Sequence, residues 1–147
     1  MDTAIKFIAL DKVSSALDRI SEELEVWAPM ASKDLKKVVR FEHYRSGRTP
    51  ELIHQSTLGP KGVLLPQVET LLRFGYLKDA EQPARSCLQL EEPATVPRTL
   101  IFGARPCDAR GLVVLDLVFS SGRFTDGLYT ARRGQTLLAT MLCPQED

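Results

Sequence analysis

Leu100-Ile101-Phe102-Gly103-Ala104-Arg105-Pro106-Cys107-Asp108-Ala109-Arg110-Gly111-Leu112 is the most informative run in this sequence. It opens on a short apolar segment bounded by turn residues, the pattern of a buried strand. Gly103 permits the bend, Pro106 carries the fixed φ suited to a first helical turn, and Asp108 is an acid at a helix start. From about Asp108 to Phe119 a helix follows, with Leu112, Leu115, Val118 and Phe119 predicted to form its inner face. Strand-to-helix turns of this kind are where open α/β domains place ligands. The helix start leaves several backbone N–H groups unpaired and carries partial positive charge.

Downstream, Ser120-Ser121-Gly122-Arg123 breaks the helix, and a loop holding Asp126, Gly127 and Tyr129 is predicted before Arg132-Arg133-Gly134. Residues 136–142 read as a second buried strand ending at Cys143. Strand 99–102, helix 108–119 and strand 136–142 make a βαβ unit. If its strands are parallel neighbours, Cys107 and Cys143 follow their carboxyl ends on one edge of the sheet, where strands lie about 5 Å apart.

Upstream, residues 11–24 read as a helix with Asp11 as N-cap and Val13, Leu17, Ile20 and Leu24 along one face. Glu25 to Ala28 reads as a short strand, or as a last helical turn, ended by Pro29. Residues 36–44 are β-rich, with Val39, Phe41 and His43 alternating onto one side. The turn signal at 46–50 suggests a hairpin returning through Leu52-Ile53-His54. Gly59 to Gly62 reads as a loop, and Pro66 opens a helix from Gln67 to Phe74 that buries Val68, Leu71 and Leu72 before Gly75. Residues 78–98 hold three prolines and read as an irregular connector with one short strand at Cys87 to Leu90. The fold class expected is α/β: a small, mainly parallel sheet with flanking helices, an N-terminal helix and a hairpin-like appendage, as a single domain over 1–147.

Nineteen basic and nineteen acidic residues cancel, so bulk charge offers no case for nucleic-acid binding. No apolar run approaches the roughly 20 residues that span a bilayer. The opening Met1-Asp2-Thr3-Ala4-Ile5-Lys6-Phe7 lacks the basic and apolar regions of a signal peptide, which makes the cytoplasm the expected compartment. Three cysteines, Cys87, Cys107 and Cys143, include no Cys-x-x-Cys pair. An odd count argues against a disulfide framework, and the ligand count argues against a complete zinc or iron–sulfur site within this chain.

Three readings stand for Arg105, Cys107, Asp108, Arg110 and Cys143. Two sheet-edge cysteines contribute to a metal or cluster site finished off the chain. Alternatively, Cys107 is a nucleophile or redox thiol, or the Gly103–Arg110 turn binds a small ligand. In the third, the turn is structural: Gly103 bends, Pro106 starts the helix, Asp108 caps it and the arginines pair with acids. The ending Cys143-Pro144-Gln145-Glu146-Asp147, polar loop directly after a core strand, suggests a truncated polypeptide. Arg132-Arg133 is a candidate anion site or a solvated edge.

Phe102 to Leu112, followed by Leu115-Asp116 and Phe119, resembles the "G-x-R-P-C-D" signature of a family of iron–sulfur electron-transfer proteins. That family includes the β subunit of cytosolic sulfhydrogenases and the corresponding iron–sulfur component of anaerobic sulfite reductase. Asp126, Tyr129, Arg132 and Arg133 fit the family's Asp, Tyr and paired basic residues before a strand ending in Cys. Lys61 to Phe74 is similar to its "K…P..E.L..F" segment, and Val26 to Pro29 to its early "V…P" strand end. Family members continue into further cysteines and a ferredoxin-like region with two 4Fe-4S clusters. The resemblance therefore implies an N-terminal domain cut before the cluster-binding part. It implies Cys143 as a candidate ligand of a cluster completed downstream, and Cys107 as a signature residue and second metal candidate. Arg105, Asp108, Arg110, Arg132 and Arg133 are implied as cofactor-side residues. The implied role is scaffold rather than catalyst, with no cluster in this chain alone. The implied partners are other subunits of an oxidoreductase complex, one binding a flavin or nicotinamide, the other catalytic.

Overall fold

The computed structural model describes residues 8–32, 38–78, 86–91 and 96–142. Its contacts divide the chain into two units, residues 66–96 and the remainder.

The larger unit is built on a four-stranded sheet. The strands are β1 (Glu25–Ala31), β2 (Val39–His43), β5 (Thr99–Ala104) and β6 (Thr136–Thr140), in the order β2-β1-β5-β6. β1 pairs antiparallel with β2 and parallel with β5, and β5 pairs parallel with β6. The βαβ unit is therefore present, and its strands are parallel neighbours. β5 is the most buried strand, because it is paired on both sides and covered on both faces.

One face carries Val13 and Leu17 of helix α1 (Val13–Ile20), packed with Val26, Ala28, Met30, Tyr44 and Leu100. On the other, Ile101 and Ala104 meet Leu64 of α2 (Lys61–Leu64), Leu112 of α3 (Pro106–Phe119) and Tyr129 of α4 (Gly127–Gly134). Strict alternation would set Ala104 with Leu100 and Phe102. A register shift between Phe102 and Ala104 returns it to the Ile101 side. The smaller unit is an antiparallel hairpin, β3 (Arg73–Lys78) against β4 (Ser86–Glu91), which pairs Phe74 with Leu90 and Tyr76 with Leu88.

The fold class is thus α/β as expected, but several elements lie elsewhere. No helix spans 67–74. Val68 and Leu71 are exposed, and Gly75 lies inside β3 rather than after a helix. A short run with no packing face and no cap does not sustain a helix. The hairpin is β3–β4, not 36–54: β2 pairs with β1, and residues 52–54 form a bend. Pro29 sits inside β1 instead of ending it. Its carbonyl accepts from the Glu51 N–H, so the missing Pro29 N–H falls on the side where the β1–β5 ladder has already stopped at Trp27. Asp11 lies within a 3-10 turn (Leu10–Lys12) and caps nothing. The expected loop before Arg132 is helix α4, and Val118 faces outward.

Candidate functional site

The turn between β5 and α3 is held by a small set of contacts. Gly103 adopts φ +76°, in the left-handed region where a side chain is strained. A Cβ there would meet the Pro29 ring at 3.1 Å and Leu52 Cδ2 at 3.2 Å. Glycine is needed for both reasons. Arg105 is the N-cap, Pro106 the first helical residue, and Asp108 reaches back so that its Oδ2 accepts from the Arg105 N–H at 3.0 Å. The other Asp108 oxygen lies over Gly59, where an added Cβ would stand only 2.8 Å away.

Arg105 is half-buried and donates from Nη2 to the Ile53 carbonyl at 3.0 Å, tying the turn to the 51–54 bend. Glu51 builds that bend. Its Oε1 accepts from the N–H groups of Ile53 and His54, and these bonds hold its carboxyl below the usual carboxylate range. Cys107 and Arg110 are exposed. Four of the predicted site residues, Arg105, Cys107, Asp108 and Arg110, therefore share the carboxyl edge of the parallel strands. Asp108 serves as a cap there, and Cys107 presents its thiol to solvent. An apolar cleft of about 360 Å³ lies at the same edge, lined by Leu10, Leu52, Ile53, Phe102, Met141 and Leu142 among others.

Arg132 and Arg133 are not part of that edge. They end α4, which feeds into the start of β6, so the length of a strand, roughly 16 Å, separates them from the turn. Arg132 turns inward and donates to the Leu64 carbonyl, and its burial pulls the guanidinium's pKa down. Arg133 Nε pairs with both Asp116 oxygens at 3.0 and 3.1 Å, and Tyr129 Oη donates to Asp116 at 2.6 Å. Burial, followed by the Asp116 carboxylate, pushes the Tyr129 phenol up. Asp126 caps α4 by accepting from the Tyr129 N–H at 2.9 Å. This second constellation locks α3 to α4. An aspartate followed three residues later by Tyr129, with Arg132 and Arg133 one turn on, is the helix signal that a loop reading passes over.

Cys143 lies outside the described residues. The chain approaches it from Thr140, opposite Ala104, with the Met141 N–H donating to the Ala104 carbonyl at 3.0 Å. Among the described residues no three His, Cys, Asp or Glu side chains form a metal-holding group. A 4Fe-4S cluster needs four thiolates, or close substitutes, and the whole chain has three cysteines. No described helix is long and apolar enough to cross a membrane.

Comparison with protein-family models, with curated proteins and with solved structures gave no match to this chain.

Proposed function

We propose that this chain is the scaffold domain of a cytoplasmic iron–sulfur electron-transfer protein, of the kind its Arg-Pro-Cys-Asp turn resembles. Such a protein passes electrons between a flavin- or nicotinamide-binding partner and a catalytic one. The supporting observation is the carboxyl edge of β5 and β6. There an exposed Cys107, with Arg105 and Arg110 near it, stands on a helix start anchored by Gly103, Asp108 and Pro29. A thiolate contributed to a shared cluster has to be held on a rigid framework with cationic and N–H donors around it. Here the cluster would be completed by ligands beyond this chain, so the domain positions groups and performs no redox step alone.

The other chemistry open to the same turn is that of a reactive thiol. Alkylation kinetics of Cys107, measured against Cys107→Ser to identify the modified site, separate the two. The scaffold reading predicts the rate of an ordinary exposed cysteine. A rate enhanced by about 100-fold, as a strongly ionised thiol gives, would replace it with a thiol-dependent enzyme.

A further inference from the structure

At their carboxyl ends β1 and β5 part. Their ladder stops at Trp27 and Ile101, and beyond it β1 leads to β2 on one side while β5 leads through α3 to β6 on the other. In open α/β sheets a divergence of this kind leaves a crevice, and that crevice is where ligands bind. In this chain residues 51–54 fill it. The Glu51 N–H donates to the Pro29 carbonyl at 2.8 Å, and Arg105 Nη2 donates to the Ile53 carbonyl. Leu52 packs so closely over Gly103 that a Cβ there would stand 3.2 Å from its Cδ2. The space that remains among Pro29, Glu51, His54, Ser56 and Arg105 is about 10 Å³, too little for more than one water.

Apolar burial does little to hold this segment. Leu52 is half-buried, Ile53 is 77% exposed and His54 is exposed. Its shape rests on a single carboxylate oxygen. Glu51 Oε1 accepts from the N–H groups of Ile53 at 2.9 Å and His54 at 3.1 Å, and lies 3.3 Å from His54 Nδ1. Hydrogen bonds near solvent, with few buried apolar contacts, mark a segment that opens locally at a free energy below that of global unfolding. β5 beneath it is of the other kind, buried along most of its length and paired on both sides. Leu52 and Ile53 also form one wall of the apolar cleft, whose other walls include Phe102, Ala139 and Met141.

We infer that residues 51–54 are a strap that closes the crevice between β1 and β5, opens without unfolding of the sheet, and is latched by Glu51. Opening joins the crevice to the cleft and releases the Ile53 carbonyl from Arg105, so this edge of the sheet has a closed and an open state. The inference does not depend on the role of Cys107 or on a cluster.

Amide hydrogen exchange of the full chain, read by NMR at a series of sub-denaturing guanidinium concentrations, tests it. The N–H groups of Glu51, Ile53 and His54 should be at least about 100-fold less protected than those of β5, and their exchange should not change with denaturant. The β5 amides should speed up with denaturant as global unfolding does. Glu51→Ala should lower protection at Ile53 and His54 by about 10-fold more. Glu51→Gln, whose amide oxygen still accepts but carries no charge, should lower it by less. Strap amides that exchange with the protection and denaturant dependence of β5 in the unaltered chain would show that the segment opens only with the whole domain. Unchanged protection at Ile53 and His54 in both variants would remove Glu51 as the latch. Either result overturns the inference.

Discussion

Gly103 carries more of the architecture than its size suggests. Its positive φ produces the register shift that turns Ala104 back to the α2–α3–α4 side, and its bare Cα admits the Pro29 ring. Gly103→Ala meets both the conformational penalty and the Pro29 contact, and should cost about 1–2 kcal/mol in denaturant unfolding. Asp108 separates its structural role from a charge-based one. Its Oδ2 bond to the Arg105 N–H survives in Asp108→Asn, whose amide oxygen still accepts, and is lost in Asp108→Ala. Thermal unfolding should place the asparagine variant near the parent and the alanine variant about 1 kcal/mol below it. The roles of Gly103 and Pro106 are readable from the sequence, because each follows from a single residue's stereochemistry. The position of Pro29 is not: that depends on where the β1–β5 ladder ends, a property of two strands and not of one residue.

Among the elements, apolar runs bounded by turn residues are predictable from sequence, and those defined by caps or by pairing are not. α3 and β6 fall in the first group as elements, although α3 turns Val118 outward and β6, expected as a buried strand over 136–142, is an edge strand that stops at Thr140 and leaves Leu137 exposed. α4 falls in the second, since its eight residues run from Gly127 to Gly134 and bury only Tyr129. The segment 67–72 shows the opposite error: helical spacing of Val68, Leu71 and Leu72 lacks a surface to cover, and Phe74 and Tyr76 find cross-strand partners instead. Two tyrosines join helices to their neighbours. Tyr44, just after β2, donates to Asp18 of α1 at 2.8 Å, and Tyr129 of α4 donates to Asp116 of α3. Burial, then the Asp18 carboxylate, pushes the Tyr44 phenol up to about 12 from an ordinary value of 10.0. A phenol whose folded value is raised holds its proton longer in the folded chain than in the unfolded one. Its stabilisation is complete below about pH 10 and drains away as pH rises toward 12. Melting temperatures of the parent should therefore fall more steeply over that window than those of Tyr44→Phe or Tyr129→Phe. Parallel slopes would refute the assignment.

At the scale of the molecule, a four-stranded, mostly parallel sheet carries α1 on one face and α2, α3 and α4 on the other. This layering follows from the order strand, helix, strand around residues 99–142, which is why the fold class is accessible from sequence. The division of the proposed site is not. Arg105, Cys107, Asp108 and Arg110 lie at the carboxyl edge, while near the opposite one Arg132 ties α4 to α2 and Arg133 ties it to α3, because an unrecognised helix carries them there. The functional reading rests on the carboxyl edge being a framework for a cluster completed beyond this chain. Iron and acid-labile sulfide content, measured after anaerobic reconstitution, is the decisive quantity. The proteins compared are this chain and a version extended through its downstream reading frame, each with and without Cys143→Ser. Clusters in the extended protein, absent from the short one and diminished by Cys143→Ser, are the predicted result. An extended protein that stays free of iron and sulfide would contradict the framework role.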